Sequence, residues 1–251
     1  MKSVLNFALD IGEKMLTSGG EVNRVEDSVS RIATSLGADR TDIFIITSHM
    51  TATVFDSNGV SHTQTRRIKG SGTDIEKLHR LNDLSRRICN GETNLQDAKA
   101  ELRKIDQIAG YPTPVTVLAQ AVIAGSFALF FGGDLREALW AFLIGGMLRV
   151  VTILLERVNA NNIFSKFLCS SLSTAFSLLL VKLSAVDTID NIMIGNIMAL
   201  IPGVGFTNAM RDLFMGDSIS GVLRTIEAVL LALAIAAGYF AVVYVFGGGT
   251  I

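Results

Sequence analysis

One apolar stretch in the last third of the chain contains the polar side chains best suited to chemistry. Residues 201–217, IPGVGFTNAMRDLFMGD, break an apolar run at Pro202 and Gly203. A bilayer penalises open backbone and isolated charge, so such a break is tolerated only inside protein or beside a watery cavity. The pattern favours a solute pathway, with a solvated interfacial helix as the alternative. The polar candidates after the break are Asn208, Arg211, Asp212 and Asp217.

The break predicts that a new helix begins partway through the segment. Pro202 should end the first helix. Thr207 or Asn208 can cap a second one that runs to about residue 214. Free N–H groups at its start would suit a carboxylate. Asn196, within the apolar part before the break, joins the candidate pathway.

Arg224 and Glu227 lie in the next apolar segment and share one helical face because they are three residues apart. Glu227 is a candidate to carry a proton during transport. A structural ion pair between the two is an equally good explanation.

Two further polar sets lie in apolar segments. Arg149 and Glu156 share a helical face, and either snorkelling or substrate binding explains the arginine. A stripe of small hydroxyl residues favours close helix packing over a hydrated path. The stripe consists of Ser170, Ser173, Thr174 and Ser177.

A second motif lies near the N-terminus, where a glycine pair precedes a run of charged residues. Acidic residues suit a helix N-terminus, so capping and surface ion pairs are a sufficient structural explanation. The motif residues are Gly19, Gly20, Glu21, Arg24, Glu26 and Asp27.

No enzyme site, metal site or cofactor site is expected. His49, His62 and His79 lack metal-ligand spacing, and Cys89 and Cys169 form no CxxC pair. No phosphate-binding loop or hydrolase motif occurs. A nucleic-acid surface would need clustered Lys and Arg, and the net charge is −1.

The charge distribution divides the 251 residues into two predicted domains. Residues 113–251 contain seven Lys/Arg and eight Asp/Glu, and residues 1–112 contain 15 of each. We therefore expect a soluble α+β domain over 1–112 and a transmembrane domain over 113–251. In the soluble domain, helical spacing, strand composition and an Asn58-Gly59 turn predict a helix pair, a hairpin and two more helices.

The fold class expected is an α-helical integral membrane protein with five transmembrane helices, the fourth of them broken. The spans are predicted at 114–133, 137–155, 165–186, 189–206 and 219–246, each near the roughly 20 residues a bilayer requires. Lys and Arg favour alternate sides, which places the N-terminal domain in the cytoplasm and the C-terminus outside. No signal peptide is apparent in the N-terminal segment.

These two motifs, in this order, resemble the threonine/serine exporter family over nearly the whole chain. The family's cytoplasmic GGE-xx-RVED-like stretch corresponds to residues 19–27. Its membrane motif, Pro-Gly…Asn-x-x-Arg-Asp…Gly-Asp, corresponds to Pro202, Gly203, Asn208, Arg211, Asp212, Gly216 and Asp217, followed by Arg224 and Glu227.

The resemblance implies export of small amino acids across the bacterial inner membrane, driven by the proton motive force. Fused members have about ten spans, so five spans resemble the split form, whose second half is a separate small membrane subunit. Some split pairs are associated with dicarboxylates, succinate in particular. Two other classes stay open from the residues alone: a membrane-anchored enzyme that uses the N-terminal domain, and a scaffold subunit that does not transport.

Overall fold

A computed structural model describes residues 1–70 and 72–246 of the chain. Ten helices and three strands are found among these residues. In chain order they are α1 (Lys2–Thr17), α2 (Val22–Ser35), β1 (Arg40–Ile46), β2 (His49–Phe55), β3 (Ser61–Arg67), α3 (Ile75–Cys89), α4 (Leu95–Asp106), α5 (Thr113–Phe130), α6 (Leu135–Arg157), α7 (Asn162–Lys182), α8 (Asp190–Leu200), α9 (Gly203–Phe214) and α10 (Ser218–Phe246).

These elements group into two compact units. The first contains residues 1–109 together with 204–226, and the second contains 110–203 together with the chain from Glu227 onward. The stretch 204–226, which carries most of the polar residues after the break, therefore packs with the N-terminal elements. The domain limits expected from composition, 1–112 and 113–251, stay a prediction.

The first unit is built around an apolar core beneath a small antiparallel sheet of order β1-β2-β3. Met50, Ala52 and Val54 alternate along β2 and point to the core, as a period of two requires. The opposite face of β2 is partly exposed. The turn at Asn58-Gly59 is confirmed, since Gly59 has φ +75° and its N–H bonds Asp56 O at 2.9 Å.

Within residues 1–70 and 72–246, four helices are long and apolar enough to cross a membrane, namely α5, α6, α7 and α10. The pair α8 and α9 passes the same test together and is bent by 53° at its break, which gives up to five spans. The chain is thus a helical membrane protein with a broken segment where one was predicted. The C-terminal residues 247–251, predicted to be external, lie outside the described residues.

The expected start of the second half-helix is wrong. We predicted a cap at Thr207 or Asn208, but α9 begins at Gly203, directly after the proline. Proline ends α8 because it has no N–H to donate, and nothing prevents the glycine that follows from entering a helix. Asn208 is therefore inside α9, and the predicted carboxylate site at a helix start there is withdrawn.

Close helix packing holds the second unit together. A Cβ at Gly238 of α10 would lie 2.4 Å from Phe167 O of α7, so only glycine permits this approach. Ser170 Oγ donates to Ile235 O across the same interface at 2.7 Å. The hydroxyl stripe is fully buried, as expected of residues that let membrane helices pack closely. Arg149 Nη1 also lies 3.3 Å from Glu156 Oε1, on the helical face that the two residues share.

Candidate functional site: a polar junction in the first unit

The glycine pair of the N-terminal motif forms the end of α1. Gly20 N donates to Met15 O at 2.8 Å and Gly19 N donates to Leu16 O at 3.2 Å, which is a Schellman motif. Gly19 has φ +94°, a conformation that a side chain disfavours. A Cβ at Gly20 would lie 2.8 Å from Met15 O. The chain can therefore turn sharply here and leave the carbonyl groups of both glycines free to accept hydrogen bonds.

The free carbonyls accept hydrogen bonds from α9 and α10. Asn208 Nδ2 donates to Gly19 O at 3.2 Å, and Arg224 Nη2 donates to Gly20 O at 3.2 Å. Both donors are about 190 to 200 residues away along the chain. The glycine turn thus accepts hydrogen bonds from two side chains of the membrane motif.

Two ion pairs complete this contact. The Glu21 carboxylate pairs with Arg211, and its side chain is mostly buried. Asp212, with 1% of its side chain exposed, lies 2.9 Å from Arg224 Nη1 through Oδ2. No donor is aligned for a hydrogen bond to that oxygen among the described residues, so the contact is mainly electrostatic. We call the set Gly19, Gly20, Glu21, Asn208, Arg211, Asp212 and Arg224 the polar junction.

Asp212 also lies near the start of α2. Glu21 occupies the N-cap position of that helix, but its side chain makes no capping bond. The backbone N–H of Val22, the first residue of α2, is close enough to the Asp212 carboxylate to interact with its charge. A carboxylate near a helix N-terminus is stabilised by the free N–H groups there. A residue of α9 thus places negative charge where α2 begins.

Two further acidic residues lie beside the junction. Glu26 Oε1 accepts the Ile45 N–H at 2.7 Å. Burial raises the pKa of the Glu26 carboxyl above its usual range, the Ile45 N–H opposes that rise, and the negative charge of Asp217 adds to it. Asp217 Oδ2 is buried and has no hydrogen-bond partner within the described part of the chain.

The remaining predicted residues are more dispersed. Arg24 and Asp27 lie on the exposed side of α2, where Asp27 pairs with Arg31. Glu227 is exposed on α10 and belongs to the second unit.

Asn196 is fully buried in the second unit, and its Oδ1 has no hydrogen-bond partner among the described residues. Pro202 and Gly203 form the break. Nine of the predicted site residues, from both motifs, therefore lie in or directly beside one contact region, and Asn196, Pro202 and Gly203 do not belong to it.

Sequence reasoning did not detect the long-range pairing. It treated the N-terminal motif as local capping and the membrane motif as a pathway lining. It also missed Ile45, because its backbone N–H group has no side-chain signature. Charge complementarity between residues 19–27 and 208–224 is the one signal that could have indicated the contact.

This architecture, a soluble α+β unit joined to several apolar helices with a polar break, is that of a multi-pass membrane protein. The threonine/serine exporter (ThrE) family model matches residues 6–246. The chain belongs to this family of transporters.

Curated relatives carry two different descriptions. A threonine/serine exporter of Corynebacterium glutamicum is 25% identical over 94% of this chain and 50% of its own length. A probable succinate transporter subunit, YjjP, of Escherichia coli (strain K12) is 24% identical over 98% of this chain and 96% of its own. YjjP of Klebsiella aerogenes is 24% identical over 94% and 92%. No solved structure matches the chain.

Proposed function

We propose that this chain is one subunit of an inner-membrane secondary transporter that exports small amino acids, threonine and serine among them, driven by the proton motive force. Family membership and the name of the C. glutamicum relative support export of this kind. The chain spans half the length of that relative. We therefore propose, by analogy, that it takes part in the activity of the longer protein.

The pairing of charges in the polar junction is the observation that favours an amino acid over a dicarboxylate as the substrate. Arg211 and Arg224 are the two cationic groups of the membrane motif, and each is already matched by a carboxylate, Glu21 or Asp212. Little positive potential is left for a dianion. A zwitterion has no net charge and therefore needs no uncompensated positive charge from the protein. Its desolvation beside already paired charges costs less free energy than that of a dianion.

A second candidate substrate is a dicarboxylate such as succinate. The observation in its favour is length, since the YjjP relatives match this chain almost end to end. Both relatives are also named as a subunit of a transporter. Direct transport measurements separate the two substrates.

The partner we propose is a second, smaller membrane subunit that supplies the other half of the transporter. The twofold greater length of the C. glutamicum relative supports this, as does the word subunit in the YjjP name. An odd number of spans would let two such halves insert in opposite orientations, as inverted-repeat transporters do.

The deciding experiment measures efflux of labelled threonine, serine and succinate from cells that lack their own exporters. The cells express this chain alone, the partner alone, or both. We expect efflux of the amino acids only with both, and its collapse when a protonophore dissipates the proton gradient. Efflux of succinate alone would transfer the proposal to the second candidate, and efflux by the purified chain alone in liposomes would contradict the need for a partner.

A charge exchange tests whether the polar junction takes part in transport. Glu21→Arg and Arg211→Glu should each reduce efflux, because each places like charges together. The double variant restores the pairing and should recover much of the lost rate. Membrane abundance is measured in parallel, with Lys182→Gln, an exposed lysine at the end of α7, as the control.

The individual roles of Asp212, Asp217 and Glu227 are tested by substitution with the corresponding amides. We expect reduced efflux at normal abundance, with Glu227→Gln also losing the dependence on the proton gradient. Full efflux in all three variants would refute their role in transport. Equal loss of abundance and efflux would assign them to stability.

A further inference from the structure

A groove between α2 and α3 of the first unit is lined by basic side chains that have no role in the proposed transport. Its volume is about 250 Å³. That is below the roughly 300–1,000 Å³ of drug-sized ligand pockets, so only a small molecule fits. Three arginines line it, together with Asp27, Asn82 and Ser85. The arginines are Arg24, Arg31 and Arg86.

The charges in this groove are not balanced. Asp27 is the acidic residue of its lining, and it is bonded to Arg31 Nε at 2.8 Å. The Arg86 guanidinium has no ion pair or hydrogen bond to any other described residue. Arg24 lies 3.9 Å from Glu21, a long contact to a carboxylate that already pairs with Arg211. Two of the three cations are thus poorly matched by the protein.

The neutral groups of the groove add donors without adding negative charge. Asn82 uses Nδ2 toward Leu78 O and keeps a second N–H on the same atom. Cys89 also lines the groove. Burial raises the pKa of the Cys89 thiol, so it stays protonated at neutral pH and does not repel an anion.

We propose that this groove binds a small oxyanion, that is, a phosphate or carboxylate group. Guanidinium groups bind both through paired N–H donors, and the groove offers one free guanidinium, Arg86, with Arg24 close by. Because Arg24 contacts Glu21, an occupant would lie next to the polar junction.

Cys89 supplies a local probe of occupancy. The full chain is purified in detergent with Cys169→Ala, and the rate at which N-ethylmaleimide modifies Cys89 is measured. Inorganic phosphate and succinate are added in separate arms, with chloride at the same ionic strength as the reference. An occupied groove should slow modification in the phosphate or succinate arm relative to chloride.

The matched variants are Arg86→Gln in the groove and Arg67→Gln, an exposed arginine of β3 outside it. We expect Arg86→Gln to raise the concentration that gives half protection by about tenfold, the loss of one charge-assisted bond. Arg67→Gln should leave it unchanged. Protection by phosphate alone assigns a phosphate ligand, and protection by both anions assigns any small oxyanion.

No protection by either anion overturns the proposal, and so does an equal shift in the two variants. The assay needs no transport, so a failure of the proposed export function would leave its result standing.

Discussion

Asp212 is paired with Arg224 of α10 and lies near the N-terminus of α2. An isolated charge inside a bilayer costs roughly 2.5–3.5 kcal/mol on insertion scales, which is why the sequence pointed to a task for this carboxylate. In the structure, 204–226 packs with the N-terminal elements, and Asp212 and Arg211 both have partners there. Pairing therefore accounts for these charges being tolerated, and their role in transport stays a prediction.

Glu26→Gln should stabilise the protein at neutral pH. Glutamine keeps the oxygen that accepts the Ile45 N–H and removes the charge that faces Asp217. Since the pKa of Glu26 is raised in the folded state, the folded wild type binds its proton more tightly than the unfolded chain does. The contribution of Glu26 to wild-type stability is then greatest at low pH and falls as pH rises from the ordinary glutamate pKa through the raised one.

Melting temperatures of the two proteins between pH 4 and pH 8 check this. The advantage of Glu26→Gln should be absent at the acid end and grow with pH. Glu92→Gln, on an exposed turn, serves as the control. A gap that widens toward acid pH would contradict the sign.

Gly20→Ala should destabilise the first unit by about 1–3 kcal/mol, the usual cost of overpacking. The new methyl group would lie 2.8 Å from Met15 O and 3.2 Å from Val25 Cγ2, so the Schellman turn has to shift. The carbonyl that accepts from Arg224 would move with it. Gly110→Ala, which meets nothing within 4 Å, is the matched control. Equal melting temperatures for the two variants would show that the turn is not tight.

At the scale of elements, α7 and α10 pack against each other through a glycine and a pair of serines. Gly238→Ala should loosen this interface, because the methyl group would lie 2.4 Å from Phe167 O and 3.0 Å from Ser171 Oγ. Without a hydrophobic driving force between helices in lipid, such close contacts carry much of the association. The expected result is a lower melting temperature in detergent and lower membrane abundance.

The control for this prediction is Gly146→Ala on α6. Its methyl group would meet Ala121 Cβ at 3.5 Å and Val117 Cγ1 at 3.6 Å, which is ordinary contact. Alanine also favours helix over glycine by up to about 1 kcal/mol. Gly146→Ala should therefore match or exceed the wild type, and a loss equal to that of Gly238→Ala would refute the steric explanation.

Periodicity and composition predicted most elements within a few residues, because a helix face and an apolar run are local signals. The Asn58-Gly59 turn is one example, expected between two strands and found with Gly59 at φ +75° between β2 and β3. The predicted start of α9 was wrong. We placed it at a residue with a capping side chain, but α9 begins at Gly203, directly after the proline that ends α8. The polar junction was not predictable from local signals, because Glu21 and Arg211 are 190 residues apart.

At the scale of the whole molecule, α10 is longer than a membrane crossing requires, and its two parts belong to different units. Its 29 residues span about 43 Å at 1.5 Å per residue, against a hydrocarbon core of roughly 30 Å. Its first nine residues, 218–226, group with the first unit. The 20 residues that follow suffice to cross the bilayer. We therefore expect Arg224 to lie outside the lipid and Glu227 at its boundary.

The same grouping predicts on which side of the membrane each segment lies. Residues 204–226 pack with 1–109, so we expect the end of this stretch to be on the same side as 1–109. Three crossings by α5, α6 and α7 would put the loop at Asp187 on the other side, and the bent pair of α8 and α9 would return the chain before Met215. α8 alone is about 16 Å long, so we expect this return to need part of α9 as well.

Single cysteines at positions 62, 187 and 215 in a chain without Cys89 and Cys169 test this topology. These positions carry His62, Asp187 and the exposed Met215. In intact cells, an impermeant thiol reagent should label position 187 only, and permeabilised cells should show labelling at all three. Labelling of 187 and 215 together would mean that the bent pair re-enters without crossing. Labelling of 62 in intact cells would reverse the cytoplasmic assignment of the N-terminal unit.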